Sequence, residues 1–191
     1  MASVLAACIV SSLRPDAGTV GVTAIDKRPV EGEIKVGTYG LYADVQADRK
    51  HHGGIDQAVY VYGQDDAEFW AAELGRQIPP GWFGENLRVE GVDPQDVRVG
   101  ERWRVGTVEL EATYAREPCQ TFARWVASST DAADERGWVK RFWAAGRFGA
   151  YFRVLTPGRL AAGDAIEVLH RPSDGTAIRD TLASPVRLSG V

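Results

Sequence analysis

Val97–Cys119 reads VRVGERWRVGTVELEATYAREPC, and the middle of this stretch decides the fold class. In Val108–Tyr114 the apolar residues Val108, Leu110, Ala112 and Tyr114 alternate with Glu109, Glu111 and Thr113. A period of two puts one face in a core and the other toward solvent, as in a half-buried strand. Glu101–Val105 reads as another strand, and after Tyr114 the pattern stops, with Pro118 breaking it before a helix follows. Working outward, segments rich in Val, Ile, Tyr and Trp recur between Gly, Pro and Asp turns at Ala58–Tyr62, Leu87–Val89, Tyr151–Leu155 and Ala165–Leu169. This rhythm predicts a mainly β, α+β domain of sandwich or barrel type with helices inserted into it. Asp65–Leu74 reads as a helix, with acidic residues in its first turn and Gly75 as its stop. A second helix is expected from about Thr121 to Val126. A third is expected from about Ala132 to Ala145, with Trp138 and Phe142 four apart and Gly146 as terminator.

The 191 residues, 45% hydrophobic and 25% charged, suit one globular domain with a sizeable core. A net charge of -4 with interspersed signs offers no basic face for a nucleic-acid polymer. The opening MASVLAACIV lacks a basic region before its apolar run, and Ser11, Ser12, Arg14, Pro15 and Asp16 end that run; it reads as a buried first strand, not a signal peptide. No apolar stretch approaches the roughly 20 residues of a membrane span. Cys8 and Cys119 are too few for a disulfide framework, so both are expected as reduced thiols of a cytoplasmic protein. The tail from Ser173 to Val191 is expected to be partly ordered at best.

Three clusters could carry chemistry. The first is DVQADRKHHGGIDQ, Asp44–Gln57, where a Gly-Gly pair lets backbone approach a ligand and Arg49, Lys50, His51 and Gln57 supply donors. A plain polar turn is the competing reading. On an extended strand His51 and His52 would point to opposite faces, which argues against their chelating one zinc ion, and no CxxC or HExxH accompanies them. The second is FGENL, Phe83–Leu87, whose Asn86 could meet a ligand or simply form a turn. Lys27, ahead of Arg28 and Pro29, would by itself be taken for solvated surface. The third is AREPCQTFARW, Ala115–Trp125. Cys119 at a helix N-terminus, with Arg116 nearby, would have a stabilised thiolate, whereas Cys8 inside an apolar strand fits the buried, inert kind. A metal ligand and a nucleophile with His51 or His52 as base remain equal readings of Cys119 at this level.

Five stretches occur together and in one order: AIDKRPVEG (Ala24–Gly32), GLYADVQADRKHHGGIDQAVYVY (Gly40–Tyr62), PGWFGENLRVEG (Pro80–Gly91), Val97–Cys119 as quoted, and GAYFRVLTPGRLAAGDAIEV (Gly149–Val168). In these the chain resembles the MOSC family, named for the C-terminal domain of molybdenum cofactor sulfurases, and its small stand-alone bacterial members akin to the 6-N-hydroxylaminopurine resistance proteins. The resemblance implies a closed mixed β-barrel of the pyruvate-kinase-barrel-like type over residues 1–172, with a few peripheral helices, holding a molybdopterin-type molybdenum cofactor. It assigns Cys119 as catalytic residue and molybdenum ligand. It places Lys27, Arg49, His51, His52, Gln57, Asn86 and Arg116 around the pterin and its phosphate. It implies reduction of small N-hydroxylated compounds such as hydroxylaminopurines and amidoximes. Electrons would come from an external reductase, since the chain has no flavin-binding Gly motif and no cysteine set for an iron–sulfur cluster. The alternative is a carrier of the cofactor or of sulfur; the chain has no pyridoxal-phosphate domain to generate that sulfur. A homodimer is left open, because longer relatives carry a helical extension where this chain has only Arg171–Val191.

Overall fold

The computed structural model describes residues 1–49, 52–129 and 135–182. The strands in chain order begin with β1 (Ser3–Val10), β2 (Arg14–Pro15), β3 (Val22–Thr23), β4 (Lys27–Pro29), β5 (Ile34–Gly37) and β6 (Gly40–Leu41). They continue with β7 (Val59–Gly63), β8 (Leu87–Glu90), β9 (Arg102–Val105), β10 (Val108–Ala115), β11 (Ala150–Thr156), β12 (Gly158–Leu160) and β13 (Ile166–His170). The helices are α1 (Gln64–Leu74), α2 (Gln120–Ser129) and α3 (Glu135–Ala145). The start expected for the third helix, 132–134, lies outside the described residues.

Eight strands form one mixed sheet in the order β13-β9-β10-β11-β7-β8-β1-β4. Its one parallel pair, β7 with β8, brings Val61 opposite Leu87. Parallel neighbours need a crossover, and α1 supplies it. Gly75 ends α1 in the left-handed conformation at φ 61, its N–H reaching the Ala71 and Ala72 carbonyls. All five residues of β7 are buried, as expected of a strand covered on both faces.

The mixed, sheet-dominant α+β plan matches the expectation from the sequence. A full closing ladder does not appear among the described residues. The sheet instead curls until β1 meets the segment before β13 through one isolated bridge, Ser3 to Ala165, and three backbone bonds. In these bonds Val4 N–H donates to Asp164 O (3.0 Å), Gly163 N–H to Val4 O (2.8 Å) and Ile166 N–H to Ala2 O (2.9 Å).

The helices bury their aromatic stripes in a shared core beside β7 and β8. Trp70 of α1 stacks on Phe142 of α3 (5.4 Å between centroids, 13°), and Phe142 meets Phe122 of α2 edge-on at 4.9 Å. Phe83 joins this core to the sheet at 4.2 Å from Tyr62. Such aromatic contacts add about 0.5–1.5 kcal/mol each beyond area burial, and here they hold the N-terminus of α2 against the sheet.

The loop into β8 is organised by charge. Glu85 accepts the N–H groups of Gly81 (2.8 Å) and Phe83 (2.9 Å) and pairs with Arg88 at 2.5 Å, with both side chains fully buried. Gly81 sits at φ +88, where an added Cβ would lie 2.5 Å from the Lys27 carbonyl oxygen, so this close approach requires glycine. Within the described part of the tail, Ile178 is fully buried and Thr181 almost so.

Candidate active site

Cys119 stands where β10 hands over to α2. β10 ends at Ala115, Pro118 follows, and Cys119 caps the helix: its carbonyl accepts Ala123 N–H at 3.1 Å and its sulfur takes the Phe122 N–H. A group at this position satisfies amide donors that the first helical turn leaves free. Arg116 Nη2 lies 3.9 Å from Sγ, and the His52 side chain donates to the same sulfur. Burial by itself would raise the Cys119 pKa, but the Arg116 charge, His52 and the Phe122 amide outweigh it and hold the thiol at about 6. Cys8 is pushed the other way, to about 12, by burial and by the Glu85 charge. In ligand-free protein, iodoacetamide should therefore alkylate Cys119 with a half-maximal rate near pH 6 and leave Cys8 unmodified. A midpoint in the ordinary thiol range of about 8.5 would contradict this assignment.

The cysteine opens on a cleft of about 180 Å³, room for several waters at about 30 Å³ each. Lys27, His52, Gln57, Asn86 and Arg116 line it with Cys119, so six of the eight residues singled out in the sequence come together. Arg49 is exposed and is not among the lining residues, and His51 lies outside the described residues.

The six do not play equal parts. Arg116 is buried, its guanidinium over Phe122 (4.8 Å) and Tyr60 (5.9 Å), and it has no carboxylate partner among the described residues. A buried cation needs a counter-charge, and the Cys119 thiolate provides one. Three polar atoms around the cleft are buried and without a partner among the described residues: Arg116 Nη1, His52 Nδ1 and Gln57 Oε1. Gln57 Nε2 meanwhile is held by the Tyr114 hydroxyl. Unsatisfied buried groups are costly, so these three leave both donors and acceptors to be met by water or by a ligand in the cleft.

Asn86 lines the cleft, but its amide serves the fold. It donates to Asp44 Oδ2 (2.7 Å) and the Cys8 carbonyl (3.3 Å), and Oδ1 accepts the Tyr60 N–H (3.1 Å). Lys27, which by itself reads as surface, is 7% exposed because Asp44 meets its ammonium at 2.5 Å. Asp44, which also accepts Val10 N–H at 2.9 Å, is the hub that sequence reasoning did not single out. One local sign accompanies it: Ala43, directly before it, has φ 65, the only positive φ of a non-glycine among the described residues.

A histidine beside a thiolate is also the pairing of nucleophilic catalysis, in which a further group commonly orients the imidazole. Here the other ring nitrogen, Nδ1, has no partner among the described residues. Nor is any group of three or more His, Cys, Asp or Glu side chains among them placed to hold a metal ion.

The MOSC domain family model matches residues 48–167. YflK of Bacillus subtilis is 32% identical over 157 residues, which cover 82% of this chain and 68% of that protein. YiiM of Escherichia coli is 31% identical over 158 residues, covering 81% and 67%. Among solved structures, YiiM of Geobacillus stearothermophilus superposes with a TM-score of 0.75 at 23% identity over 97% of this chain and 85% of that one. The Escherichia coli YiiM structure gives a TM-score of 0.65 at 26% identity over 81% and 71%.

Proposed function

Because the chain belongs to the MOSC domain family, we propose that the Cys119 cleft binds a molybdopterin-type molybdenum cofactor and that the protein reduces N-hydroxylated compounds. The observation that carries this reading is Cys119 paired with a buried Arg116 that has no carboxylate partner among the described residues, where Arg116 Nη1, His52 Nδ1 and Gln57 Oε1 are left without partners among them. These residues fit the group. A soft thiolate suits a soft metal centre, and Arg116 Nη1, His52 Nδ1 and Gln57 Oε1 are donors and acceptors awaiting heteroatoms.

When bound, such a cofactor supplies two-electron redox chemistry at molybdenum. The chain's own residues prepare the site. Arg116 and His52 keep Cys119 deprotonated and therefore able to ligate at neutral pH. Lys27, fixed by Asp44, offers an ammonium to an anionic part of the cofactor, since this one side-chain bond among the described residues leaves other donors for that purpose. Asn86 holds Asp44 in place. Burial of Arg116 over Phe122 and Tyr60 keeps its charge away from bulk water, where it would be screened. Electrons come from a separate reductase.

Protein made in a molybdopterin-competent host should oxidise reduced methyl viologen when benzamidoxime or 6-N-hydroxylaminopurine is added. Molybdenum-loaded protein that turns over neither compound would remove the reductase reading and leave a cofactor carrier.

A further inference from the structure

The segment Arg171–Leu182 is bonded to the fold along its length. Arg171 donates to the buried Glu101 carboxylate from Nε (2.6 Å) and Nη2 (3.2 Å). Arg98 Nη1 donates to the Ser173 (2.7 Å) and Gly175 (3.2 Å) carbonyls. The backbone continues this attachment, with Val99 N–H donating to Thr176 O (2.9 Å) and Ile178 N–H to Val97 O (2.8 Å).

The segment then reaches β10 at the end that matters for the site. β9 pairs with β10 only as far as Glu111, and Ala112 N–H still finds the Glu101 carbonyl at 2.9 Å. From Thr113 onward no strand pairs with β10 on that side among the described residues, while the other side remains paired as far as Ala115 with Ala150. There the Thr181 hydroxyl takes the place of the missing strand, accepting the buried Ala115 N–H at 3.0 Å and donating to the Ile178 carbonyl at 2.7 Å. The next residue is Arg116, and Cys119 follows three positions later.

We propose that Arg171–Leu182 is a strap that sets the position of the Arg116–Cys119 pair, with Thr181 as the positioning residue through which it acts. A backbone N–H buried without an acceptor is costly, so a side chain lacking the hydroxyl would make the end of β10 shift toward another acceptor. Any such shift moves Arg116 relative to a sulfur that it contacts at 3.9 Å. The strap acts on the thiol whatever the cleft holds, so this inference and the cofactor reading succeed or fail separately.

The test is the pH midpoint of iodoacetamide alkylation of Cys119 in the full chain, expressed in a host that makes no molybdopterin. The midpoint is read because a thiol of raised pKa is less ionised but more nucleophilic, so its rate at one pH can stay level. Thr181→Val should raise the midpoint by about one pH unit or more, and Thr181→Ser, which keeps the hydroxyl, should stay within about half a unit of the parent. Ile34→Val, a methyl deletion in the small sheet of β5, β6 and β12, is the control for general loosening and should also stay within about half a unit. If Thr181→Val fails to fold, Arg98→Met in the full chain, which removes the donor to the Ser173 and Gly175 carbonyls, takes its place, with the same rise expected. A midpoint within about half a unit of the parent in the strap variant, or an equal rise in Ile34→Val, overturns the proposal.

Discussion

Glu85→Ala is expected to lower the unfolding free energy by about 3–5 kcal/mol, the usual cost of leaving one member of a buried ion pair without its partner. Both Glu85 and Arg88 have fully buried side chains, and Glu85 receives Arg88 from Nε at 3.0 Å and from Nη2 at 2.5 Å. Without the carboxylate, Arg88 keeps only the Gln64 side-chain oxygen (3.2 Å), the Pro79 carbonyl (3.4 Å) and the ring faces of Tyr62 and Phe83. The Gly81 and Phe83 amides lose their acceptor as well, adding desolvation at the loop that carries Phe83, Gly84 and Asn86 to the cleft. Urea unfolding with an unchanged slope would read the loss directly. A change under about 1 kcal/mol would mean that the pair is hydrated or replaceable, contrary to its burial.

Cys119→Ser is expected to lower retained molybdenum at least tenfold, since altering a supporting residue alone costs about 10–100-fold in metal affinity and this change removes the ligand itself. Serine preserves the helix-capping geometry but replaces a thiolate by a neutral, harder oxygen. The fold should survive, because Cys119 is a partly exposed residue at a helix start and serine caps helices well. Arg116→Met provides the companion result. It keeps much of the packing volume over Phe122 but removes the charge that contributes most to lowering the Cys119 pKa, so the thiol should return toward its ordinary value. Full molybdenum retention in Cys119→Ser, measured on folded protein, would separate the metal from the cysteine and remove the assignment.

The parts of this structure legible in the sequence are those carried by local pattern. The alternation in Val108–Ala112 holds in β10, but a register shift between Ala112 and Tyr114 breaks it, burying Thr113 and leaving Tyr114 half-buried, the reverse of the expectation. The polar flanks that set Cys119 apart from Cys8 correspond to opposite shifts of the two thiols. Strands of two to four residues, such as β2, β3, β4 and β6, are too short to show a period of two. Lys27 shows why composition misleads at a site. Next to Arg28 and Pro29 it reads as solvated, and only the tertiary meeting with Asp44, 17 residues later, explains its burial. Asn86 was legible as a residue of interest, but not the division of labour in which its amide braces Asp44 while Gln57 and His52 keep unpartnered atoms at the cleft. The strap was hidden for a related reason: a polar, Pro-interrupted tail reads as loose because nothing local reveals that Thr181 caps Ala115 across 66 residues.

The central claim is that the cleft formed by Cys119, Arg116, His52, Gln57 and Lys27 holds a molybdenum cofactor. Metal analysis combined with pterin fluorescence on protein purified from a molybdopterin-competent host tests it most directly. The account predicts about one molybdenum and one pterin per chain, as expected for one thiolate site, with Cys119 protected from alkylation. Folded protein from the same host carrying neither molybdenum nor pterin, with Cys119 freely alkylated, would contradict it.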